Sequence, residues 1–353
     1  MKSQSNKMEK LKICIVGFGW FGKMHYSVYK DMDNVEVIGV CDVNMASFDS
    51  KQKSLQDEFH KDVSQDKDAL GENVKIYSDV EKMLKELKPD LLDIVVPEDK
   101  HIDVALVGIA HGCNLIIEKP MTVSYKDAVK IQEEANKKGV HVYVGQVLRF
   151  DDRYRALEEM LADTDKDDIR HLTLERNFQS KSHYVYGRVH PAYSCLAHDI
   201  DLTLWLSKNK VKSVNAFANN FIGRTYPDNI VAVLELENGA FSTIQNSWHV
   251  AQKCPYGFEF ITKIFTKDNT FTVKNEPVIH NWSNQSVDYP EFFFWPKING
   301  KIKGALRTEL EHYVECGLKN IESPILPLAD VVEIIKVANA IEDSINQKKK
   351  IEL

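Results

Sequence analysis

A lysine stands between an acid and a proline at the end of an apolar stretch, in LIIEKPMTV, residues 115–123. The three residues before the acid predict a buried strand, because they are consecutive, apolar and uncharged. Lys119 would then lie at the carboxyl end of that strand, which is where open α/β sheets bind ligands. Pro120 has no N–H and disfavours helical angles at Lys119, so we expect the lysine on a stiff turn. An ammonium group held in this way can polarise a carbonyl oxygen, whereas the alternative is a solvated loop lysine.

A glycine-rich turn lies near the start of the chain, where Gly17, Gly19 and Gly22 in GFGWFG fit the spacing G-x-G-x-x-G. A predicted strand precedes this turn, a predicted helix follows it, and Asp42 ends the next predicted strand. Such glycines allow a tight turn and a close approach of the backbone to a pyrophosphate at a helix N-terminus. Asp42 can accept hydrogen bonds from both ribose hydroxyls of NAD, and it would repel the 2′-phosphate of NADP. No arginine follows in CDVNMAS to offset that repulsion, although a simple strand-end cap is the alternative for Asp42.

We therefore predict that this turn and the end of the second strand bind NAD rather than NADP. The predicted contacts of this first part are Gly17, Phe18, Gly19, Trp20, Phe21, Gly22, Asp42 and Val43.

A second proline ends an apolar run in VVPEDKH, residues 95–101. Pro97 keeps the chain extended, and His101 begins the next predicted helix. We expect this loop beside the nicotinamide half of the cofactor, although His101 could equally be an ordinary helix-start residue. The predicted cofactor site is completed by Pro97, His101, Glu118, Lys119 and Pro120.

The elements that position these residues follow from the hydrophobic pattern. Apolar runs alternate with helical stretches over the first 125 or so residues, which predicts an α/β fold with a doubly wound parallel sheet. The predicted strands there are LKICIVG, VEVIGVCD, DLLDIVVP, CNLIIE and HVYVGQVLRF. After about residue 150, alternating runs and the hairpin signal Asn238-Gly239 predict a mostly antiparallel sheet. One helix, 198–208, interrupts this second half, and another, about 329–347, ends it.

Composition limits the classes of function. The net charge of −7 and the pI near 6.0 argue against nucleic acid or an acidic membrane as partner. No apolar stretch reaches the roughly 18–20 residues that span a bilayer. The six cysteines are scattered without a C-x-x-C, which predicts reduced thiols in a cytoplasmic protein and no metal site.

The motifs GFGWFG with Asp42, VPEDKH, EKPM and HDID, in this order, resemble the glucose–fructose oxidoreductase/inositol dehydrogenase/MocA-type superfamily. The resemblance runs from about residue 11 to 347. It implies an N-terminal Rossmann domain and a C-terminal α/β domain with a large open sheet, whose face makes a homodimer or homotetramer. It also implies hydride transfer between a nicotinamide cofactor and a secondary alcohol or ketone of a sugar, cyclitol or nucleotide-sugar.

On this basis we divide the chain into five parts. They are a disordered tail at 1–10, a Rossmann domain at 11–125, a connecting helix and strand at 126–150, a substrate and oligomerisation domain at 151–328, and a C-terminal helix and tail at 329–353.

The resemblance also implies roles for single residues. Lys119 matches the catalytic lysine of the family and His198 its catalytic histidine. The family often has an aspartate four residues before that histidine, where this chain has Ser194. The residues expected at the substrate are Lys119, Gln146, Arg149, His190, Tyr193, Ser194 and His198. The stretch around His190 and Tyr193 could equally be a hydrophilic loop.

The expected chemistry is acid–base catalysis of alcohol oxidation. His198 would be a neutral base, because a helix N-terminus disfavours imidazolium. We expect Asp201 to accept N–H groups in the first turn of the same helix. Two other functions stay open: an NAD-dependent glycosidase with no net redox change, and a non-enzymatic regulatory protein on a Rossmann scaffold.

Overall fold

Six parallel strands form the first sheet: the sequence predicts five of them, and the edge strand Lys75–Tyr77 was not predicted. A computed structural model gives the fold and describes residues 10–44, 70–183, 187–254, 257–276, 278–285, 287–290 and 292–353. The disordered tail predicted for residues 1–10 lies outside these ranges except for Lys10. The strands are β1 (Leu11–Val16), β2 (Val35–Cys41), β3 (Lys75–Tyr77), β4 (Leu91–Ile94), β5 (Asn114–Ile117) and β6 (Val142–Val144).

The strand order of this sheet is β3-β2-β1-β4-β5-β6, with every pair parallel. The order changes direction between β1 and β4, so the loops that follow these two strands diverge and leave a crevice between them. The first sheet therefore has the doubly wound architecture that the sequence predicts.

Within the described residues, four helices connect these strands. They are α1 (Trp20–Tyr29), α2 (Val80–Leu87), α3 (His101–Ala110) and α4 (Tyr125–Lys138). The Oγ atom of Ser124 accepts from the Asp127 N–H at 3.4 Å at the start of α4, and Gly139 ends that helix in the left-handed region. This confirms the helix predicted at 124–139.

The prediction of one strand through HVYVGQVLRF was wrong in its second half. Only β6 is extended, and its ladder stops because its partner β5 ends at Ile117, where the last bond is Gly145 N–H to Ile117 O at 2.9 Å. The chain then forms a 3₁₀ turn over Val147–Phe150 and the helix α5 (Asp152–Met160).

A second sheet of seven strands forms the other half of the fold. Its strands are β7 (Ile169–Gln179), β8 (Val211–Asn219), β9 (Asn229–Leu236), β10 (Phe241–Val250), β11 (Phe258–Thr266), β12 (Thr270–Lys274) and, at the C-terminus, β17 (Ile351–Glu352). The order is β12-β11-β7-β10-β9-β8-β17, antiparallel except for the parallel pair β7–β10. Asn238-Gly239 joins β9 to β10 as predicted, with Gly239 at φ +85°.

Two small hairpins follow β12. Their strands are β13 (Asn281–Trp282), β14 (Val287–Asp288), β15 (Lys297–Ile298) and β16 (Lys301–Ile302).

Four helices complete the second half: α6 (Pro191–Ser194), α7 (Leu196–Ser207), α8 (Ala305–Lys319) and α9 (Leu328–Gln347). The inner face of the second sheet packs on α7 and α9. No helix in the described ranges has the length and apolar character that crossing a bilayer requires.

Helix α8 returns to the first sheet, which the sequence analysis did not predict. Its residues Leu306, Leu310 and Tyr313 share one buried core with Ile13 and Ile15 of β1. In sequence, α8 falls in the predicted substrate domain at 151–328, but in space it covers the Rossmann sheet beside α1.

Candidate active site

The three loops that carry the predicted cofactor contacts and Lys119 lie at the carboxyl edge of the first sheet. The glycine turn follows β1, the Pro97 loop follows β4, and the Glu118–Pro120 turn follows β5. Because β1, β4 and β5 are parallel neighbours, their three following loops border the same crevice.

Glycine is favoured at the three positions of the turn after β1 for different physical reasons. Gly17 has φ +94°, and a Cβ there would lie 2.4 Å from the Val95 carbonyl oxygen. A Cβ on Gly22 would lie 2.0 Å from the Gly17 carbonyl oxygen. At Gly19, by contrast, a Cβ would meet nothing within 4 Å, and Gly19 caps α1 with no side chain. The first and third glycines are therefore needed for packing, whereas the second keeps open the space at the helix N-terminus.

Asp42 is tied to the same turn. Its Oδ2 accepts from the Phe18 N–H at 2.7 Å, and its Oδ1 accepts from the Asn44 N–H at 2.8 Å. A carboxylate has about four lone-pair sites, so it keeps capacity for two ribose hydroxyls. Open space at Gly19, a helix N-terminus and a carboxylate at the end of β2 together fit the pyrophosphate and ribose of a dinucleotide. Val43, the other predicted contact there, is 89% exposed.

His101 joins two of the three loops. It is buried at the start of α3, and its ring nitrogens lie 2.8 Å from the Pro120 carbonyl oxygen and 2.9 Å from that of Val96. Both nitrogens thus face backbone oxygens of the loops after β4 and β5. Pro97 precedes a short 3₁₀ turn, Glu98–Lys100, between these contacts.

Lys119 reaches from the first domain to the second. Its backbone N–H donates to Glu118 Oε2 at 3.1 Å, and its Nζ donates to the carbonyl oxygen of Ser194 at 3.2 Å. The residue that departs from the pattern of the superfamily therefore still contacts the lysine, through its main chain. The side chain of Lys119 is half-buried and lies where the two halves meet.

His198 lies in the first turn of α7, four residues after Ser194. Burial first, and then the positive charges of Lys119 and Arg176, hold the pKa of His198 well below 6.5. Its Nδ1 is buried and has no hydrogen-bond partner within the ranges that the structure describes. The imidazole is therefore neutral at physiological pH, and the positive charge of Lys119 contributes to this.

Sequence reasoning missed Arg176, which pairs with the residue next to His198. Its Nε and Nη2 donate to Asp199 at 2.9 and 2.8 Å, and both side chains are buried. Arg176 lies on β7, so only the pairing of that strand with the rest of the sheet brings it to α7.

Arg149, a predicted substrate residue, is bound by internal groups of the protein. Its guanidinium is 2% exposed and donates to Asp201 at 2.9 and 2.7 Å and to the Ile325 carbonyl oxygen at 2.6 Å. A further contact reaches Asp330 at 3.3 Å. Asp201, which was expected to accept N–H groups of its own helix, instead pairs with this arginine.

The remaining predicted substrate residues have mixed surroundings. The hydroxyl of Tyr193 donates to Glu342 on α9 at 2.9 Å, and His190 Nδ1 accepts from the Ala192 N–H at 3.2 Å as the cap of α6. Gln146 is buried, and its Oε1 has no partner among the described residues. The structure thus joins Lys119 to Ser194, four residues before His198, while Arg149 and Tyr193 bind other parts of the fold.

A second contact between the two halves was also missed. Arg188 donates to both carboxylate oxygens of Glu98, at 2.6 and 3.0 Å. Burial raises the pKa of Glu98, but the charges of Arg188 and, more weakly, Lys119 lower it below its ordinary value. The loop after β4 is thereby fixed to the segment before α6.

A doubly wound sheet with a dinucleotide turn, beside a lysine and a neutral histidine, defines a nicotinamide-dependent oxidoreductase. Two family models match the chain: an oxidoreductase family with an NAD-binding Rossmann fold over residues 11–146, and a GFO/IDH/MocA C-terminal domain over residues 154–271. The chain belongs to the GFO/IDH/MocA oxidoreductase family. This confirms the resemblance, the fold class and the NAD cofactor that the sequence predicts, and it places the protein among enzymes that act on CH–OH groups.

Individual relatives are distant. The chain is 25% identical over 255 residues to an inositol 2-dehydrogenase of Salmonella paratyphi B, which covers 70% of this chain and 69% of that protein. It is 23% identical over 277 residues to a scyllo-inositol 2-dehydrogenase (NAD(+)) of Bacillus subtilis, covering 75% and 78%. The structure of scyllo-inositol dehydrogenase from Lactobacillus casei with NAD(H) and scyllo-inositol has the same fold, with a TM-score of 0.75, 16% identity and coverage of 98% and 99%.

The different reasons for the three glycines give a first prediction. Gly22→Ala should lower the free energy of unfolding by about 1–3 kcal/mol, because its methyl group overlaps a backbone oxygen. Gly19→Ala should change it by less than about 1 kcal/mol, but should weaken NADH binding because the methyl group fills the space for the pyrophosphate. Urea unfolding without cofactor and NADH fluorescence titration measure the two effects. Wild-type affinity for NADH in Gly19→Ala would contradict this assignment.

Proposed function

We propose that the protein transfers a hydride between NAD and a secondary ring alcohol of a cyclitol, sugar or nucleotide-sugar. The observation that carries this proposal is that Lys119, on the turn after β5, donates to the Ser194 carbonyl oxygen, four residues before a neutral His198. The names of the curated relatives favour cyclitols within this class.

The residues of the first sheet would hold the cofactor. The N-terminus of α1 and the open space at Gly19 would take the pyrophosphate, and Asp42 would take the ribose. The Pro97 loop and the Glu118–Pro120 turn would lie along the nicotinamide half. His101 then positions these loops through its two backbone contacts. When bound, NAD supplies the hydride acceptor.

Lys119 and His198 would divide the work on the substrate hydroxyl. The neutral imidazole of His198 takes the hydroxyl proton, and Lys119 Nζ donates to the same oxygen as it becomes a carbonyl. The carbonyl oxygen of Ser194 orients Nζ before substrate arrives. In the reverse direction the same groups return the proton to the oxygen.

The acids near His198 in sequence support its proposed role as a neutral base, because they do not form an ion pair with it. The two aspartates nearest in sequence, Asp199 and Asp201, are both paired with buried arginines. Ser194, at the position where the family often has an aspartate, carries no charge. No carboxylate of these three positions is therefore left to stabilise imidazolium.

A substrate screen with catalytic variants tests the function. Cyclitols, sugars and nucleotide-sugars are offered with NAD, and NADH is followed by absorbance. Steady NADH formation with one class supports the proposal, whereas substrate cleavage without net NADH would support the glycosidase alternative.

Lys119→Ala should lower kcat by about two to four orders of magnitude, because it removes a donor that acts mostly on the developing charge. NADH affinity should change little. Lys119→Arg should not restore turnover, since a guanidinium has a different shape and cannot release its proton. Steady-state kinetics with the substrate from the screen measure the loss. A wild-type rate in Lys119→Ala would refute the assignment and favour the non-enzymatic alternative.

The lowered pKa of His198 predicts the pH profile. A base must be neutral to act, so kcat/KM should fall as pH drops through that pKa, which puts the acidic limb below about 6.5. Ser194→Asp should move the limb to higher pH by stabilising imidazolium. His198→Asn should lose activity at neutral pH and regain part of it at high pH, where hydroxide can replace the base. An acidic limb well above 6.5 in the unmodified protein would exclude His198 as this base.

We also propose a homodimer or homotetramer formed through the outer face of the second sheet. Large apolar side chains of neighbouring strands are exposed there: Phe217 by 64%, Phe241 by 43%, Val231 by 41% and Val233 by 38%. The helices α7 and α9 pack on the opposite face. A contiguous apolar patch of this kind is typical of an interface.

This proposal predicts an oligomer by light scattering at micromolar concentration. Phe217→Glu should shift the population toward monomer, because it buries a charge in the interface. Met160→Glu, at an apolar side chain that is 67% exposed at the end of α5, is the matched control and should leave the mass unchanged. A monomeric unmodified protein would rule the interface out.

We also propose that the protein is cytoplasmic. It is supported by the six cysteines, which are all unpaired thiols, five of them buried.

A further inference from the structure

A cluster of charged side chains lies beneath the turn that carries Lys119. His25 comes from α1, Asp93 from β4, and Glu118 from the end of β5. His25 and Asp93 have 0% exposure and Glu118 has 9%. Three elements of the first sheet thus place ionisable groups in an interior where charge is expensive unless it is paired.

The three side chains form one chain of contacts. His25 Nδ1 lies 2.8 Å from Asp93 Oδ2, and His25 Nε2 lies 3.5 Å from Glu118 Oε1. The second of these is a charge contact rather than a full hydrogen bond. The other oxygen of Glu118 accepts the backbone N–H of Lys119 at 3.1 Å. The contacts therefore run from Asp93 through His25 and Glu118 to the backbone of Lys119.

The charges within the cluster are complementary. Burial lowers the pKa of His25, but Asp93 and Glu118 raise it more, to about 10. His25 is therefore an imidazolium between two carboxylates at physiological pH. Glu309 of α8 is a third buried acid nearby, and burial followed by the charge of Glu118 raises its pKa well above 4.5. These two effects favour the neutral form of Glu309.

Gly145 confines the Glu118 carboxylate from the other side. A Cβ on Gly145 would lie 2.6 Å from Glu118 Oε1 and 3.1 Å from Oε2. The carboxylate therefore fits between the imidazolium and the bare backbone of the residue after β6. This close approach leaves it little freedom to move.

We propose that His25 is a positioning residue that, by fixing the Glu118 carboxylate, aims Lys119 and couples it to the phosphate-binding helix. His25 lies on α1, whose first turn would hold the pyrophosphate, so one helix contacts both the cofactor and the support of the lysine. The inference rests on the catalytic role proposed for Lys119. A displacement of about 1 Å in a catalytic group can lower the rate about 100-fold, so such support affects kcat directly.

The test is a double-mutant cycle between His25→Asn and Lys119→Ala. An asparagine can keep a donor to Asp93 but has no positive charge and is too short to reach Glu118. His25→Asn should lower kcat about 10–100-fold in the unmodified chain, with NADH affinity within about twofold. In the Lys119→Ala background the same substitution should have almost no further effect, because the group it positions is gone.

Additive losses in the two backgrounds, or a loss of NADH affinity that accounts for the lower rate, would overturn the inference and leave His25 as a structural residue of α1. The single variant Lys119→Ala reports separately on the proposed function. If that variant is fully active, the catalytic assignment fails, whatever His25→Asn does.

A second variant displaces the Glu118 carboxylate without changing α1 or any charge. Gly145→Ala should push the carboxylate away from its position and give the same fall in kcat with unchanged NADH affinity, and it keeps the test open if His25→Asn does not fold. The matched control is Tyr143→Phe on β6 of the same sheet. It removes the part-buried hydrogen bond from the Tyr143 hydroxyl to the Ile321 carbonyl oxygen. It should lower the free energy of unfolding without changing kcat. An unchanged kcat in folded Gly145→Ala would refute the proposal.

Discussion

Parallel strands that end at one edge are the constraint on which this site depends. β1, β4 and β5 are neighbours, and the loops that follow them are a turn open to phosphate, a proline loop and the turn that carries Lys119. Their side chains are far apart in sequence, and the parallel hydrogen-bond ladder alone brings them together. The second half of the chain contacts this edge through Ser194 at the end of α6, whose carbonyl oxygen accepts from Lys119 Nζ. His198 follows four residues later, in the first turn of α7.

Each half of the chain buries one histidine, and the charged groups around that histidine help to decide its protonation state. Around His198, burial and then the charges of Lys119 and Arg176 keep the imidazole neutral, and the neighbouring acids Asp199 and Asp201 are bound by arginines. Around His25 the arrangement is opposite, because two carboxylates face one imidazole and it is charged. Two buried histidines of this chain thus have opposite protonation states, and the difference follows from the charged groups around each ring.

Features coded by local spacing could be predicted from the sequence, and features set by distant contacts could not. The glycine turn, Asp42 and the Lys119 turn follow from strand and helix patterns within about 30 residues, the size of one βαβ unit. Arg149 pairs with Asp201, 52 residues away, and nothing local showed that its guanidinium would be buried. Helix α8 did carry a signal in the sequence, since Leu306, Leu310 and Tyr313 recur at helical spacing. Its packing against β1 could be seen only in the fold.

The packing of α8 on the first sheet has a consequence for folding during synthesis on the ribosome. Residues 11–144 contain every strand of that sheet, yet one of its faces receives α8 only when residues 305–319 are present. On the ribosome, the strands and α1 emerge long before α8, so the apolar surface that α8 covers lacks this cover until residues 305–319 have been made. Exposed apolar surface in a folding intermediate favours aggregation.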